Sequence, residues 1–346
     1  MALNVTIDGE QFEFFQSASL TFRYNSVGSS FKLKGFFDQG NQEIRRLFRP
    51  LQFRRIVIKD DDRTVLTGTV INTSFTATKT EELATLTGYS LPGVLEDCQI
   101  PVSSYPLQFD NLSIKQIAEQ LIQPFGIRLV VDDLASEGAN EVITRVTAND
   151  GQSIQDFISK TCSQKNLILS HDVRGRLVIT RARTSGQIQT FFDAQTPVTK
   201  LDSVFNGRGL HSDITVFKQT SIQGGNAAEE SIENPFVSSF RPTTRTQTTG
   251  TENDTQQAAR NVLAEELRNI NVTITTDRWY WLNGERLEIM QPNRVVGVRS
   301  ERAYLFGVQR WFVEEVTLNS DPSKQTGIVK LVLPEVYNNE PVKSRF

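Results

Sequence analysis

Apolar positions along the chain repeat with two different periods. Over "SIKQIAEQLIQPFGIRL" (113–129) they fall at Ile114, Ile117, Ala118, Leu121 and Ile122. Over "SIQDFISKTCSQKNLIL" (153–169) the same offsets hold Ile154, Phe157, Ile158, Thr161 and Cys162. That spacing is the buried stripe of an amphipathic helix. Ser113 with Gln116 three residues on has the spacing of a capping box, and Ser153 with Asp156 is a weaker version. Leu112 and Ile117 are placed to add a hydrophobic staple. Pro124 and Gly126 end the first helix, and Asn166 takes the glycine's place in the second. Both residue types tolerate the left-handed backbone that closes a helix. Each copy continues as strand, turn and strand, "IRLVV" and "LILS" first and "VITR" at 142–145 and 178–181 last. The pattern predicts two helix–hairpin (αββ) units, each marginal alone and able to share one core with the other.

On both sides the period changes to two. "SLTFRYN", "SFKLKGFF", "FRRIVIKD", "TVLTGTVINTSFTAT" and "ELATLTGYS" read as strands, with a short helix in "NQEIRRLFRP" before Pro50. After residue 186, strands are predicted in "GLHSDITVFKQT", "VTITTDRWYW", "GERLEIM", "RVVGVRS", "AYLFGVQRWFVEEVTLN" and "TGIVKLVLP". Between them, 221–253 is polar, rich in Thr, Ser, Asn and Gly, and reads as a long mobile loop. A helix over 254–269, capped by Asn253 or Asp254, follows it. A second echo links the ends: "RRIVIKDDDRTVLTGTVINTSF" (54–75) and "RVVGVRSERAYLFGVQRWFVEEV" (294–316) both run strand, charged turn, long strand. Leu66 and Gly68 then correspond to Leu305 and Gly307.

The expected fold is α+β and β-dominated, with two small β-barrel domains flanking the two helix–hairpin units. The expected boundaries are 1–98, 99–148, 149–185 and 186–346. The 346 residues suit two to four domains. A net charge of −3 supplies no global field for nucleic acid or an anionic membrane. No apolar run nears the roughly 20 residues of a membrane span, and the first residues lack a secretion-signal pattern. Two cysteines, Cys98 and Cys162, exclude a disulfide scaffold and favour a reducing compartment.

Candidate chemistry is sparse. Cys162 occupies the place of Ile122 in the other copy and reads as a core residue. His171 has no partner at metal-ligand spacing. With His171 and His211 as the only histidines, a Ser-His-Asp arrangement lacks support. "GRGLHS" (207–212) lacks the third glycine of a dinucleotide loop. Adjacent carboxylates at Asp60–Asp62, Glu229–Glu230, Glu265–Glu266 and Glu314–Glu315 read as solvated surface. No catalytic residue, cofactor or metal is expected. The densest charge lies in "RRLFRPLQFRR": Arg45, Arg46, Arg49, Arg54 and Arg55 interleaved with Phe48 and Phe53. A single-stranded nucleic-acid strip is one reading. Overall acidity favours the other, buried phenylalanines with the arginines facing water or a protein interface.

Taken with "LTGYSLPGVLEDCQI" (86–100), "GRLVITR" (175–181), "AARNVLAEELRN" (258–269) and "RWYWLNGERLEIMQPNRVVGV" (278–298), the order of parts resembles baseplate hub proteins of Mu-like contractile-tailed phages. It is also similar to the hub part of type VI secretion spike proteins. The resemblance implies a homotrimeric virion structural protein whose two barrels per chain form a pseudo-sixfold ring. That ring joins the hexameric tail tube to the trimeric central spike during genome ejection, with baseplate wedge proteins as further partners. It implies assembly in the host cytoplasm, residence in the tail baseplate, no membrane insertion and no sequence-specific nucleic acid. The chain's end at Phe346 leads us to expect no appended lytic domain. The competing expectation is a peptidoglycan- or glycan-binding tail module, weakened by the few aromatics of the middle region, Phe125 and Phe157.

Overall fold

The computed structural model describes residues 3–12, 15–79, 82–193, 198–218, 229–247, 255–283 and 285–338. By contact density the chain forms two units, 1–181 with 315–327, and 182–314 with 328–346. The fold is α+β and dominated by strands.

The first unit opens with β1 (Leu3–Ile7), β2 (Glu10–Phe12), β3 (Phe15–Arg23) and β4 (Ser30–Phe36). After α1 (Gln42–Leu47) come β5 (Arg55–Asp60), β6 (Arg63–Ala77) and β7 (Glu82–Ser90). β1 and β2 go beyond the strands predicted, although Leu3, Val5 and Ile7 alternate inward in the usual way. The strand order is β3-β4-β7-β6-β5-β1-β2. Residues 315–320 pair antiparallel with β3, so this sheet is not confined to 1–98. Thr21 and Thr317 share a hydroxyl hydrogen bond across that ladder, and Arg23 Nε donates to Glu315 Oε2 at 2.6 Å.

The middle begins with α2 (Val94–Asp97) and β8 (Gln108–Ser113), then α3 (Ile114–Ile122) and β9 (Leu129–Val131). α4 (Ser136–Asn140), β10 (Val142–Thr147), α5 (Ile154–Ser163), β11 (Ile168–His171) and β12 (Leu177–Thr180) complete it. The predicted caps are in place. Ser113 and Gln116 close a full capping box, and Ser153 accepts from the Asp156 N–H. Gly126 (φ 65°) and Asn166 (φ 53°) are both left-handed. All ten stripe positions of α3 and α5 are buried, most in one shared core with Leu167, Leu177 and Ile179.

The two copies differ in how their strands pair. Only the second is a hairpin, β11 against β12. In the first, β10 pairs back onto β8, and β9 joins the second hairpin as a parallel neighbour of β12. The cause is the connector. Asp132 caps a turn onto Leu134 N–H, and Ala135, Gly138 and Ala139 are buried, so "DDLASEGANE" is helical and separates β9 from β10. The parallel pair β9 and β12 is joined through α4, β10, α5 and β11, the long crossover that parallel strands require.

The second unit contains β13 (Phe191–Phe192), β14 (Val198–Phe205), β15 (Asp213–Lys218), β16 (Glu229–Glu233) and β17 (Thr243–Gln247). It continues with α6 (Thr255–Leu267), β18 (Ile270–Thr276), β19 (Tyr280–Asn283), β20 (Arg286–Ile289) and β21 (Val295–Ser300). β22 (Leu305–Ser320), β23 (Gln325–Val332) and α7 (Glu335–Asn338) close the order. Within 221–253, expected as one long mobile loop, two strands form. β16 and β17 flank β15, one antiparallel and one parallel. They are mostly exposed strands held by backbone pairing, which requires no apolar stripe, and Thr243, Thr244 and Thr246 suit extended backbone. Residues 234–242 connect them, with Asn234 N–H donating to the Ser212 carbonyl and Ser212 N–H to the Arg241 carbonyl. Residues 221–228 and 248–253, with the proposed caps Asn253 and Asp254, lie outside the described residues. α6 packs on β15 and β16 and buries Ala259, Leu263 and Leu267.

The two ends of the chain repeat one strand order. At the start it is β3-β4-β7-β6-β5-β1, and at the end β14-β18-β23-β22-β21-β13. Irregularities recur as well. β3 and β14 each bulge next to their first pair, and β5–β6 and β21–β22 each shift register near the turn. The equivalence is four residues away from the sequence echo. Ile58 faces Leu66 as Val298 faces Gln309, so Leu66 corresponds to Gln309 and not to Leu305.

Candidate functional site

The arginine segment is built around α1. The Asn41 side chain caps it by accepting from the Glu43 and Ile44 N–H groups, and Ile44 and Leu47 turn inward. Phe48 is buried edge-on against Phe12 and Phe37, at 5.4 and 5.9 Å between centroids. This leaves Arg45, Arg46 and Arg49 on the outer face. Arg46 grips both oxygens of Glu10 at 2.7 Å, and Arg54 lies 3.7 Å from Asp8. Arg45, Arg49 and Arg55 are exposed and carry no ion pair among the described residues.

Phe53 departs from the expectation that both phenylalanines are buried. It is 62% exposed and Leu51 is 77% exposed. Both have positive φ, 49° and 58°, where non-glycine residues rarely sit. The connection after Pro50 turns sharply enough to point these side chains outward. The segment has no glycine to signal left-handed backbone at Phe53. Apolar side chains among unpaired guanidinium groups suit a protein contact.

A second apolar surface, missed in the sequence, lies in the other unit. Tyr304 stacks edge-on against Phe306 at 5.1 Å and against Phe205 at 6.3 Å. Tyr304, Phe306 and Val308 are exposed, while Leu305, between the first two, is buried. The period-two alternation in "YLFGV" carries that signal.

The catalytic candidates take structural roles. Cys98 and Cys162 are free thiols, and burial pushes the Cys162 thiol up to about 12. His171 bonds through Nδ1 to the Ser26 carbonyl oxygen and through Nε2 to the Ser29 hydroxyl. Ser29 is buried, and the Asp172 carboxylate is engaged by Arg176. Burial lowers the His171 pKa, opposed by the Ser26 hydrogen bond and the Asp172 charge. His211 and Glu266 are paired at 2.6 Å, tying the start of β15 to α6. Glu314 meets Arg268, Lys330 and Tyr337. Among the described residues no group of three or more acidic, His or Cys side chains is arranged to hold a metal, and no helix is long and apolar enough to cross a membrane.

These features define an α+β protein with a repeated sheet module at each end, a doubled helix motif between them and surfaces suited to protein contacts. Residues 92–181 match the family described as baseplate hub protein gp44-like, second domain. The 43 kDa tail protein of prophage MuSo2 from Shewanella oneidensis has the same fold, with TM-score 0.81 at 17% identity, covering 97% of this chain and 99% of that one. The tail protein from Neisseria meningitidis MC58 gives 0.79 at 17% identity, covering 97% of each chain. The Escherichia coli c3393 protein, a component of the type VI secretion system, gives 0.57 at 8% identity, covering 98% of this chain and 79% of that one. No curated protein matches the sequence at a significant level. The expected resemblance to Mu-like tail and type VI spike-related proteins therefore holds at the level of fold, with the gp44-like match confined to the middle domain.

Proposed function

We propose that the chain is the structural hub of a contractile phage-tail baseplate and acts without catalysis. Three copies form a ring in which six similar sheet modules meet the hexameric tail tube, while threefold symmetry serves the central spike. The observation that carries this reading is the recurrence of one strand order at both chain ends. A trimer with two like modules per chain presents six near-equivalent surfaces, and closed cyclic assembly repeats each contact around one axis. Residues 92–181, which match the second domain of gp44-like hub proteins, support the same reading. In this proposal the two terminal modules close as small barrels, and residues 99–148 and 149–185 form the layer facing the spike. Arg45, Arg46, Arg49, Arg54 and Arg55, with Leu51 and Phe53, form a docking face for a neighbouring baseplate or tube protein. The site of action is the virion tail baseplate, after assembly in the host cytoplasm.

Light scattering on the purified chain tests the assembly state. A mass near three times 39.0 kDa is expected. A species that stays at 39.0 kDa at every concentration, alone and with the spike protein, overturns the hub reading.

A further inference from the structure

The two sheet modules are alike, yet one edge is filled in the first and open in the second. Strand β22 has β23 on one side. On its other side lie two partners in succession, β21 as far as Phe312 and then β3 from Glu315 to Ser320. β6 is its counterpart, with β7 on one side and β5 on the other. The β5 ladder stops at Thr69, and nothing continues it along 72–77 among the described residues. In the same way β3 lies between β4 and β22, whereas its counterpart β14 ends the strand order beside β18.

Burial marks the same vacancy independently. Both hairpins leave four residues between their strands, 78–81 and 321–324, so Ala77 corresponds to Ser320. Val316 and Leu318, covered by β3, are fully buried. Their counterparts are Thr73, half-buried, and Phe75, 45% exposed. On β14, Val204 is also 45% exposed.

We infer that residues 72–77 of one copy add as an antiparallel strand to β14 of the next copy, as 315–320 add to β3. The inference rests on the trimer reading and specifies its subunit contact. The equivalences Ser17 with Lys200 and Ala77 with Ser320 fix the register. Ala77 then faces Leu201, Phe75 faces Ser203, Ser74 faces Val204 and Asn72 faces Asn206. The Asn72–Asn206 pair stands where Arg23 and Glu315 form their ion pair, and amides can hydrogen-bond across that position. Phe75 would lie on the face where Val316 and Leu318 are buried. Each chain offers one donor strand and one acceptor edge, at different places. The contact is therefore heterologous and closes into a ring when the rotation per step is a third of a turn. Backbone pairing supplies the joint, as in other strand additions at exposed sheet edges.

Cysteine cross-linking with light scattering on the same samples tests this. In a Cys98→Ser background, Ser74→Cys with Val204→Cys should oxidise to a covalent three-chain species that reducing agent collapses to one. Ser74→Cys with Asp202→Cys, two residues out of register, should remain largely single. In the unmodified trimer, amides of 72–77 and 201–206 should exchange at least tenfold more slowly than in subunits separated by dilution. A trimer by mass with neither linkage nor protection overturns the strand pairing and leaves the trimer intact. A chain that never assembles overturns both. Linked ladders that run past three chains overturn the closed ring.

Discussion

His171 shows how a residue with catalytic chemistry can be committed to structure. Its neutral form satisfies both ring nitrogens, Nδ1–H donating to the Ser26 carbonyl and Nε2 accepting from Ser29. Charging it must overcome burial, and the pKa is lowered accordingly. The unfolded chain, with an ordinary value near 6.5, binds the proton more readily. The stabilisation is full above that value and is lost as pH falls from it through the folded value. Thermal unfolding should therefore show a midpoint that drops between about pH 7 and pH 5, and His171→Asn should flatten that part of the profile. A residue-scale steric prediction concerns Gly88. A Cβ there would collide with the Thr69 carbonyl oxygen and the Phe31 ring, both fixed within the sheet. Gly88→Ala should cost about 1–3 kcal/mol, as overpacked core positions do, read from denaturant midpoints at constant slope.

At the scale of elements, the helix caps and stripes define a predictable core. Ser113 accepts the Gln116 N–H while the Gln116 side chain returns to the Ser113 N–H. Ser113→Ala should lose about 1 kcal/mol, and Ile117→Ala, from the buried stripe, about 2–5 kcal/mol, both by chemical denaturation. These elements were legible because helix period and capping chemistry are local. The pairing of β9 and β10 was not. Both are short strands whose partners depend on a connector that folded as a helix, and identical "VITR" segments carry no information about their neighbours. β16 and β17 escaped for the opposite reason, since polar edge strands are specified by backbone ladders that leave little apolar pattern. Phe53 and Leu51 were visible as residues, but their exposure follows from left-handed backbone within a loop that has no glycine. The repeat between chain ends was visible in outline and misaligned by four residues. The Leu-x-Gly triplets match only as letters, whereas strand register is set by bulges and turn length.

For the whole molecule, the assembly and docking surfaces make separable demands. The proposed ring contact uses 72–77 and β14, while the arginine face uses 45–55, so variants can disable one and spare the other. Arg45, Arg49 and Arg55 make no ion pair among the described residues, so their charge adds little to folding there; exposed changes of this kind usually stay within about 0.5 kcal/mol. The double substitution Arg45→Glu with Arg49→Glu should leave the melting temperature and the trimer mass unchanged. If the face docks on a protein of the tube or baseplate, the same change should weaken co-sedimentation with polymerised tail tube at least tenfold and raise its salt sensitivity, because like charges then meet at the contact. Phe53→Ala, which removes an exposed ring without altering charge, should weaken docking with no change in salt dependence. Equal docking by all three proteins would assign the arginines to solvent and leave the ring contact as the functional surface of this module.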